Sequence, residues 1–237
     1  MSHFITQLTQ QASLFPDPSL ALTEPDGLLA VGGDLSPTRL LAAYQKGIFP
    51  WFSDNQPIMW WSPSERATII PGEVHISRSM ARLIRQHKFE ITVNIGFTEV
   101  IRACADEHKD DGTWITPEMQ QAYIQLHQLG HAHSIEVWQQ TQLVGGIYGV
   151  NIGRLFCGES MFHRASNASK LAFIALCRHF GQHGGQLIDA QIPNPHLSSL
   201  GVQSQTRNRF LMQVQRLAKE PIGTECWTKQ TIHLKLS

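Results

Sequence analysis

Between Ser134 and Ile192 the chain switches between two hydrophobic periods in a fixed order, and that order leaves few folds open. Ser134–Trp138, Leu143–Val150 and Arg154–Phe162 read as three short strands, joined by connections short enough for an antiparallel meander. A helix then begins at Ser166 or Asn167, runs through Leu171, Ile174, Ala175 and Arg178, and stops at the glycine pair Gly184 and Gly185. Leu187–Ile192 is a strand again. Meander, helix, strand is a distinctive succession, and it places this part of the chain in a mixed α/β class.

The flanks fit such a domain. Ser77 caps a helix whose apolar residues Met80, Leu83 and Ile84 face away from Arg78, Arg82 and Arg85. Phe97, Val100, Ile101 and Cys104 give a second helical stripe, Pro117–Leu129 a third ending at Gly130, and Arg207–Ala218 a last one. Residues before about 65 are broken by turn signals around one helix, which Ser36 caps, Pro37 starts and Gly47 ends. The expected organisation is therefore a small N-terminal domain over 1–64 and a larger domain over 65–237.

Composition narrows the partners. Nineteen basic and nineteen acidic residues cancel, so a polyanion must meet a local patch rather than a cationic molecule. The stretch His75–Phe89 offers one, with Arg78, Arg82, Arg85 and Lys88 and no acid. Cys104, Cys157, Cys177 and Cys226 are scattered without a C-x-x-C pair, which indicates neither a disulfide framework nor a zinc site. His179 and His183 stand four apart near a helix end, but no third ligand has characteristic spacing, so no metal is expected. Residues 1–18 carry no basic stretch before an apolar run, and no window of eighteen apolar residues follows, so the expectation is a cytoplasmic protein without a membrane anchor.

The usual nucleophile and nucleotide motifs are missing: there is no G-x-S-x-G, no P-loop, no H-E-x-x-H and no complete dinucleotide fingerprint. Gly145, Gly146 and Gly149 fall inside a strand pattern, where a bulge or a close backbone approach explains them. Asp189 and Gln191 are more informative, because strand periodicity puts i and i+2 on one face of an otherwise apolar strand. They are either solvated at a strand end or a working pair. Glu159 is a second charge in an apolar strand, buried and paired or simply outward-facing. Trp51, Trp60, Trp61 and Trp114 flank turn residues, where a ring serves as core or stacks on a nucleobase.

Several of these segments resemble one family. Residues 27–35 (GLLAVGGDL), 47–52 (GIFPWF), 60–63 (WWSP), 112–116 (GTWIT), 131–138 (HAHSIEVW), 156–162 (FCGESMF), 167–170 (NASK) and 187–191 (LIDAQ) are similar, in the same order, to the bacterial leucyl/phenylalanyl-tRNA–protein transferases. The resemblance spans residues 13 to 215.

It implies a C-terminal domain like the GCN5-related N-acetyltransferases, a mixed sheet flanked by helices. The implied reaction moves leucine or phenylalanine, with methionine a further donor, from aminoacyl-tRNA to proteins that begin with arginine or lysine, marking them for degradation by the N-degron route. The loop that holds the coenzyme A pyrophosphate in acetyltransferases has no counterpart between Phe162 and Lys170, so no cofactor is expected. By resemblance Gln191 accepts a hydrogen bond from the attacking amine, and Asp189 orients Gln191 and stabilises charge on that nitrogen. The aminoacyl side chain enters a pocket of Ile147, Phe156, Gly158, Met161, Phe180 and Ile188. The terminal adenosine lies against Trp51 and Trp114, Glu159 is a candidate for the acceptor's cation, and Arg78, Arg82 and Arg85 face the tRNA backbone. A monomer is expected. The competing readings are a coenzyme A-dependent acetyltransferase and a noncatalytic tRNA-binding module.

Overall fold

The computed structural model describes residues 5–107 and 114–234. The chain opens with β1 (Thr6–Leu8), β2 (Leu28–Gly32), α1 (Pro37–Tyr44), β3 (Phe49–Pro50) and β4 (Met59–Trp61), whose strands form a small sheet in the order β1-β2-β4-β3. Helix α1 starts as its residues dictate: Ser36 accepts from the Arg39 amide and Pro37 occupies the first turn. Past its end Gly47 takes φ +70°, and a Cβ there would stand 2.7 Å from Leu211 and 2.9 Å from Phe210. Only glycine fits that turn without displacing the last long helix.

The rest of the chain builds a second sheet with its covering helices: β5 (Glu65–Ile69), α2 (Arg78–Arg85), β6 (Glu90–Val93), α3 (Phe97–Glu107), α4 (Pro117–Gln128), β7 (Ala132–Gln139), β8 (Gln142–Ile152), β9 (Leu155–His163), α5 (Ala168–Gln182), β10 (Leu187–Gln191), α6 (Pro195–Ser198), β11 (Gln203–Thr206), α7 (Arg207–Leu217) and β12 (Gln230–Ile232). The strand order is β11-β5-β10-β9-β8-β7-β6-β12. The expected meander is β7-β8-β9, antiparallel throughout, and α5 is the crossover that lets β10 pair parallel to β9. The fold is the mixed α/β class expected, with helices on both faces of the larger sheet.

Strand alternation divides the interior in two. Leu155 and Cys157 pack with α1, α3, α4 and α7, whereas Phe156 between them points to the opposite face, where α2 and α5 pack. The first of these cores also takes in Tyr44, Phe49 and Trp60, so the two sheets share buried apolar surface. Gly149 marks a register shift between β8 and β9, and a Cβ there would meet the Cys157 carbonyl at 2.1 Å. This is the close approach expected of a glycine within a strand. Asn167 precedes α5 in the left-handed region, at φ 66°, and makes no side-chain cap bond. All four cysteines are buried free thiols, and among the described residues no helix is long and apolar enough to cross a membrane.

Candidate functional site

β9 and β10 run together for three residue pairs, Leu187 with Leu155, Ile188 with Phe156 and Asp189 with Cys157, and then part. β9 continues along β8, while the register of β10 against β5 shifts between Asp189 and Gln191. Gln191 adopts φ 62°, a left-handed conformation that a non-glycine residue holds only when its surroundings fix it. Asp189 and Gln191 do line one cavity, but a bulge rather than simple alternation brings them there.

The cavity between the parting strands has a volume of about 320 Å³. Ile147, Met161, Phe173 and Ile188 form apolar wall, Gly158 leaves room beside them, and Trp51 and Trp114 also line the cavity. Trp51 is exposed and meets Trp61 edge-on with centroids 5.7 Å apart, while the Trp61 indole donates to the Trp51 carbonyl at 2.7 Å. Trp60 is fully buried against Phe15 and is core. Gly112 and Thr113, next to Trp114, lie outside the described residues.

Asp189 is fully buried and gripped from two sides. Arg66 on β5 donates through Nε to Oδ1 at 2.9 Å and through Nη2 to Oδ2 at 2.7 Å, and the Gln191 amide donates to Oδ1 at 2.9 Å. Burial by itself would lower the Arg66 pKa, but the Asp189 charge and its hydrogen bonds outweigh it and hold the guanidinium above its ordinary value. Arg66 also lies between the rings of Phe49 and Phe210, at 4.8 and 4.5 Å, and donates to the Gly47 carbonyl.

Glu159 sits beside them, half-buried. Its Oε1 accepts from Gln191 Nε2 at 2.7 Å and its Oε2 from the Tyr123 hydroxyl at 2.8 Å, and Tyr123 in turn meets the Tyr44 hydroxyl at 2.5 Å. Burial raises the carboxyl most, the tyrosine hydrogen bonds lower it and the Asp189 charge raises it, leaving it at about 7. With Nε2 engaged, Oε1 is the acceptor end of the Gln191 amide.

Two expectations need correction. Phe156 and Phe180 do not line the cavity: their ring centroids lie 6.0 Å apart and both pack against Trp227 in the second core. Phe173 takes their place in the wall. Asp189, paired with Arg66 on both oxygens, is not a free carboxylate for a cationic amine; it holds the Gln191 backbone. Arg78, Arg82 and Arg85 are exposed on α2, away from the cavity and opposite buried Met80 and Ile84. Arg66, Tyr44, Tyr123 and Phe173 were not singled out in the sequence.

Cys157, the thiol adjoining the site, is fully buried, and burial followed by the Asp189 charge pushes its pKa well up, so it does not serve as a nucleophile. The site is thus an apolar cavity that ends on the Gln191 amide, backed by the Glu159 and Asp189 carboxylates, an arrangement that can hold and orient an acyl group. Residues 68–215 match the family profile described as leucyl/phenylalanyl-tRNA protein transferase, and residues 33–64 match the profile of its N-terminal domain. The chain belongs to the leucyl/phenylalanyl-tRNA–protein transferase family and is an aminoacyltransferase. Leucyl/phenylalanyl-tRNA–protein transferases of Yersinia enterocolitica and Yersinia pestis are each 56% identical over 229 residues, 97% of this chain and 97% of theirs. Solved structures with a similar chain path include FemX, at TM-score 0.47 and 10% identity over 75% of this chain and 70% of that one, and a GCN5-related N-acetyltransferase from Kribbella flavida, at 0.40 and 11% over 72% and 61%.

Proposed function

We propose that the protein transfers leucine, phenylalanine or methionine from aminoacyl-tRNA to the α-amino group of proteins beginning with arginine or lysine, marking them for N-degron degradation in the cytoplasm. The observation that carries this reading is the Glu159–Gln191 contact at the end of an apolar cavity of amino-acid size. The donor is an activated ester, so no covalent enzyme intermediate is needed.

The aminoacyl side chain occupies the cavity against Ile147, Met161, Phe173 and Ile188, with the terminal adenosine against Trp51 and Trp114. Gln191 Oε1 accepts a hydrogen bond from the neutral α-amine and aims its lone pair at the carbonyl carbon. As the new C–N bond forms, the bond to the ribose oxygen breaks and that oxygen takes the amine's proton. Glu159 holds the Gln191 amide in the accepting orientation, and its negative charge faces the acceptor's lysine or arginine. Arg78, Arg82 and Arg85 meet tRNA phosphates. The working units are residues 1–64, carrying Trp51 and Tyr44, and 65–237, carrying the cavity; the enzyme acts as a monomer.

The test is incubation of purified protein with labelled leucyl-tRNA and peptides beginning with arginine, lysine or alanine. Label on the first two alone supports the proposal. Label on the alanine peptide to the same extent, or on none, overturns it.

A further inference from the structure

His179 and His183 lack a third ligand along the sequence, and the fold supplies one. A short 3-10 turn, Thr224–Trp227, brings Cys226 against the last turn of α5, where its Sγ and one ring nitrogen of each histidine lie within 4.8 Å of one another. The hydrogen bonds fix which form each ring takes. His179 Nε2 faces the Cys226 carbonyl at 2.6 Å and His183 Nδ1 faces the His179 carbonyl at 2.8 Å. A carbonyl oxygen only accepts, so both of those nitrogens carry protons. The lone pairs then sit on His179 Nδ1 and His183 Nε2, which are the nitrogens a metal would have to use, with the backbone carbonyls as the outer partners that metal-bound imidazoles habitually have.

We propose that His179, His183 and Cys226 form a binding site for a thiophilic metal ion, with Zn²⁺ as the natural occupant. Two imidazoles and a thiolate are the donor set of zinc and disfavour magnesium or calcium, which prefer oxygen. Zinc bonds of about 2.0–2.3 Å require ligand atoms about 3.5 Å apart, so the cluster closes by about an ångström on loading. Half-buried His183 has room to make that movement. Binding replaces the Cys226 thiol proton, which passes to solvent. Cys226 is buried, and His179 and His183 both border a cavity of about 210 Å³ that would give the ion an entry path and leave a fourth position open to solvent.

The site is a clip rather than a reacting centre. It joins the end of α5 to the segment carrying Trp227, which stacks on His133 at 4.3 Å and covers Phe156 and Phe180, and β12 beyond it pairs with β6. None of the three ligands lines the aminoacyl cavity.

The test uses the full chain, stripped with a chelator and titrated with Zn²⁺ against a chromophoric competitor, and separately with Co²⁺. The expected result is one Zn²⁺ per chain, a thiolate-to-cobalt charge-transfer band in the near ultraviolet and a higher Tm with Zn²⁺. Cys226→Ser abolishes the band. Cys226→Ser and His183→Gln each weaken Zn²⁺ binding by at least about tenfold, the loss seen even for residues that only support a ligand. Cys104→Ala, a thiol of the other core, leaves the affinity unchanged. Absence of the band in the unmodified protein, or equal Zn²⁺ affinity in His183→Gln, overturns the proposal. If Cys226→Ser fails to fold, the His183→Gln titration decides, provided its metal-free circular dichroism matches the parent.

Discussion

Arg66 and Asp189 meet as a two-pronged ion pair with almost no solvent contact, their side chains being 1% and 0% exposed. They come from adjacent antiparallel strands, and Gln191 hangs from the same carboxylate through its backbone amide. A buried pair of this kind is weak evidence for stability, because desolvation opposes the attraction; its worth lies in fixing one arrangement. Here that arrangement is the left-handed turn at Gln191.

On the proposed function the pair should act on turnover through position. Asp189→Ala strands the Arg66 cation and is expected to lower stability by about 3–5 kcal/mol. Arg66→Lys is the sharper probe, since it keeps the charge and loses the planar fork. It is expected to reduce kcat by about ten- to a hundredfold, with KM for aminoacyl-tRNA nearly unchanged. Steady-state kinetics at several tRNA concentrations check this, and a change confined to KM would count against it.

Much of this was legible in the sequence where one physical signal dominated. β7, β8, β9 and α5 were readable because each has a long, clean period. β5 was not, since it opens on Glu65 and Arg66 and its partners β10 and β11 are distant in sequence. That arginine was the available clue: followed by Ala67, Thr68 and Ile69 in a strand, it needs a buried acid. Tyr44 and Tyr123 lie on the buried sides of α1 and α4, where helical periodicity marks the rings but says nothing of where two hydroxyls meet. Phe156 misled because strand periodicity gives the face it shares with Ile147 and Ile188 but does not show that Phe180 and Trp227 cover it there.

Glu159 sets an acid limb on activity if its ionised form is what accepts from Gln191 Nε2. Its pKa of about 7 includes a lowering contribution from Tyr123, so Tyr123→Phe is expected to raise that pKa and move the acid limb of kcat to higher pH. The limb due to the acceptor's own α-amine, near about 8, stays in place. Profiles for both proteins from pH 5.5 to about 9 separate the two; a coincident pair of profiles would remove Glu159 from the mechanism.

Glycine at position 158 leaves open space in the cavity, where the proposed function puts the aminoacyl side chain. A Cβ there would have only ordinary contacts, the nearest being the Asp189 carbonyl at 3.6 Å, so Gly158→Ala is expected to fold normally while narrowing the cavity beside Ile147. Phenylalanine should suffer more than leucine, by about 1–2 kcal/mol in kcat/KM, a shift of about tenfold in the ratio. Competition between the two charged tRNAs measures it directly.

His133 links the C-terminal segment to acid stability. Burial, with His127 next, pushes it down to about 3, and it is stacked on Trp227 with Asn94 donating to Nδ1. A histidine depressed in the folded state contributes stability that is full above its ordinary value of 6.5 and is lost as pH falls from there toward 3. The limiting slope is about 1.4 kcal/mol per pH unit. His133→Gln is expected to be less stable at pH 7 but to lose stability more slowly on acidification. Urea unfolding of both proteins at pH 7, 6 and 5 gives the difference in slope, and parallel curves would refute it.

The exposed arginines of α2 should report on the nucleic acid alone. Arg78, Arg82 and Arg85 project from the face opposite Met80 and Ile84 and do not line the cavity, so on the proposed function they should affect association and not the chemical step. Removing one arginine–phosphate interaction is expected to reduce the slope of log affinity against log salt by about 0.7–0.9. Replacing all three with alanine should flatten that slope by about 2.1–2.7 while kcat at saturating aminoacyl-tRNA holds. Because α2 buries only its apolar side, the triple variant is expected to keep the parent Tm within about 2 °C, so weaker binding cannot be blamed on unfolding. A salt slope unchanged in the triple variant would move the tRNA to another face of the protein.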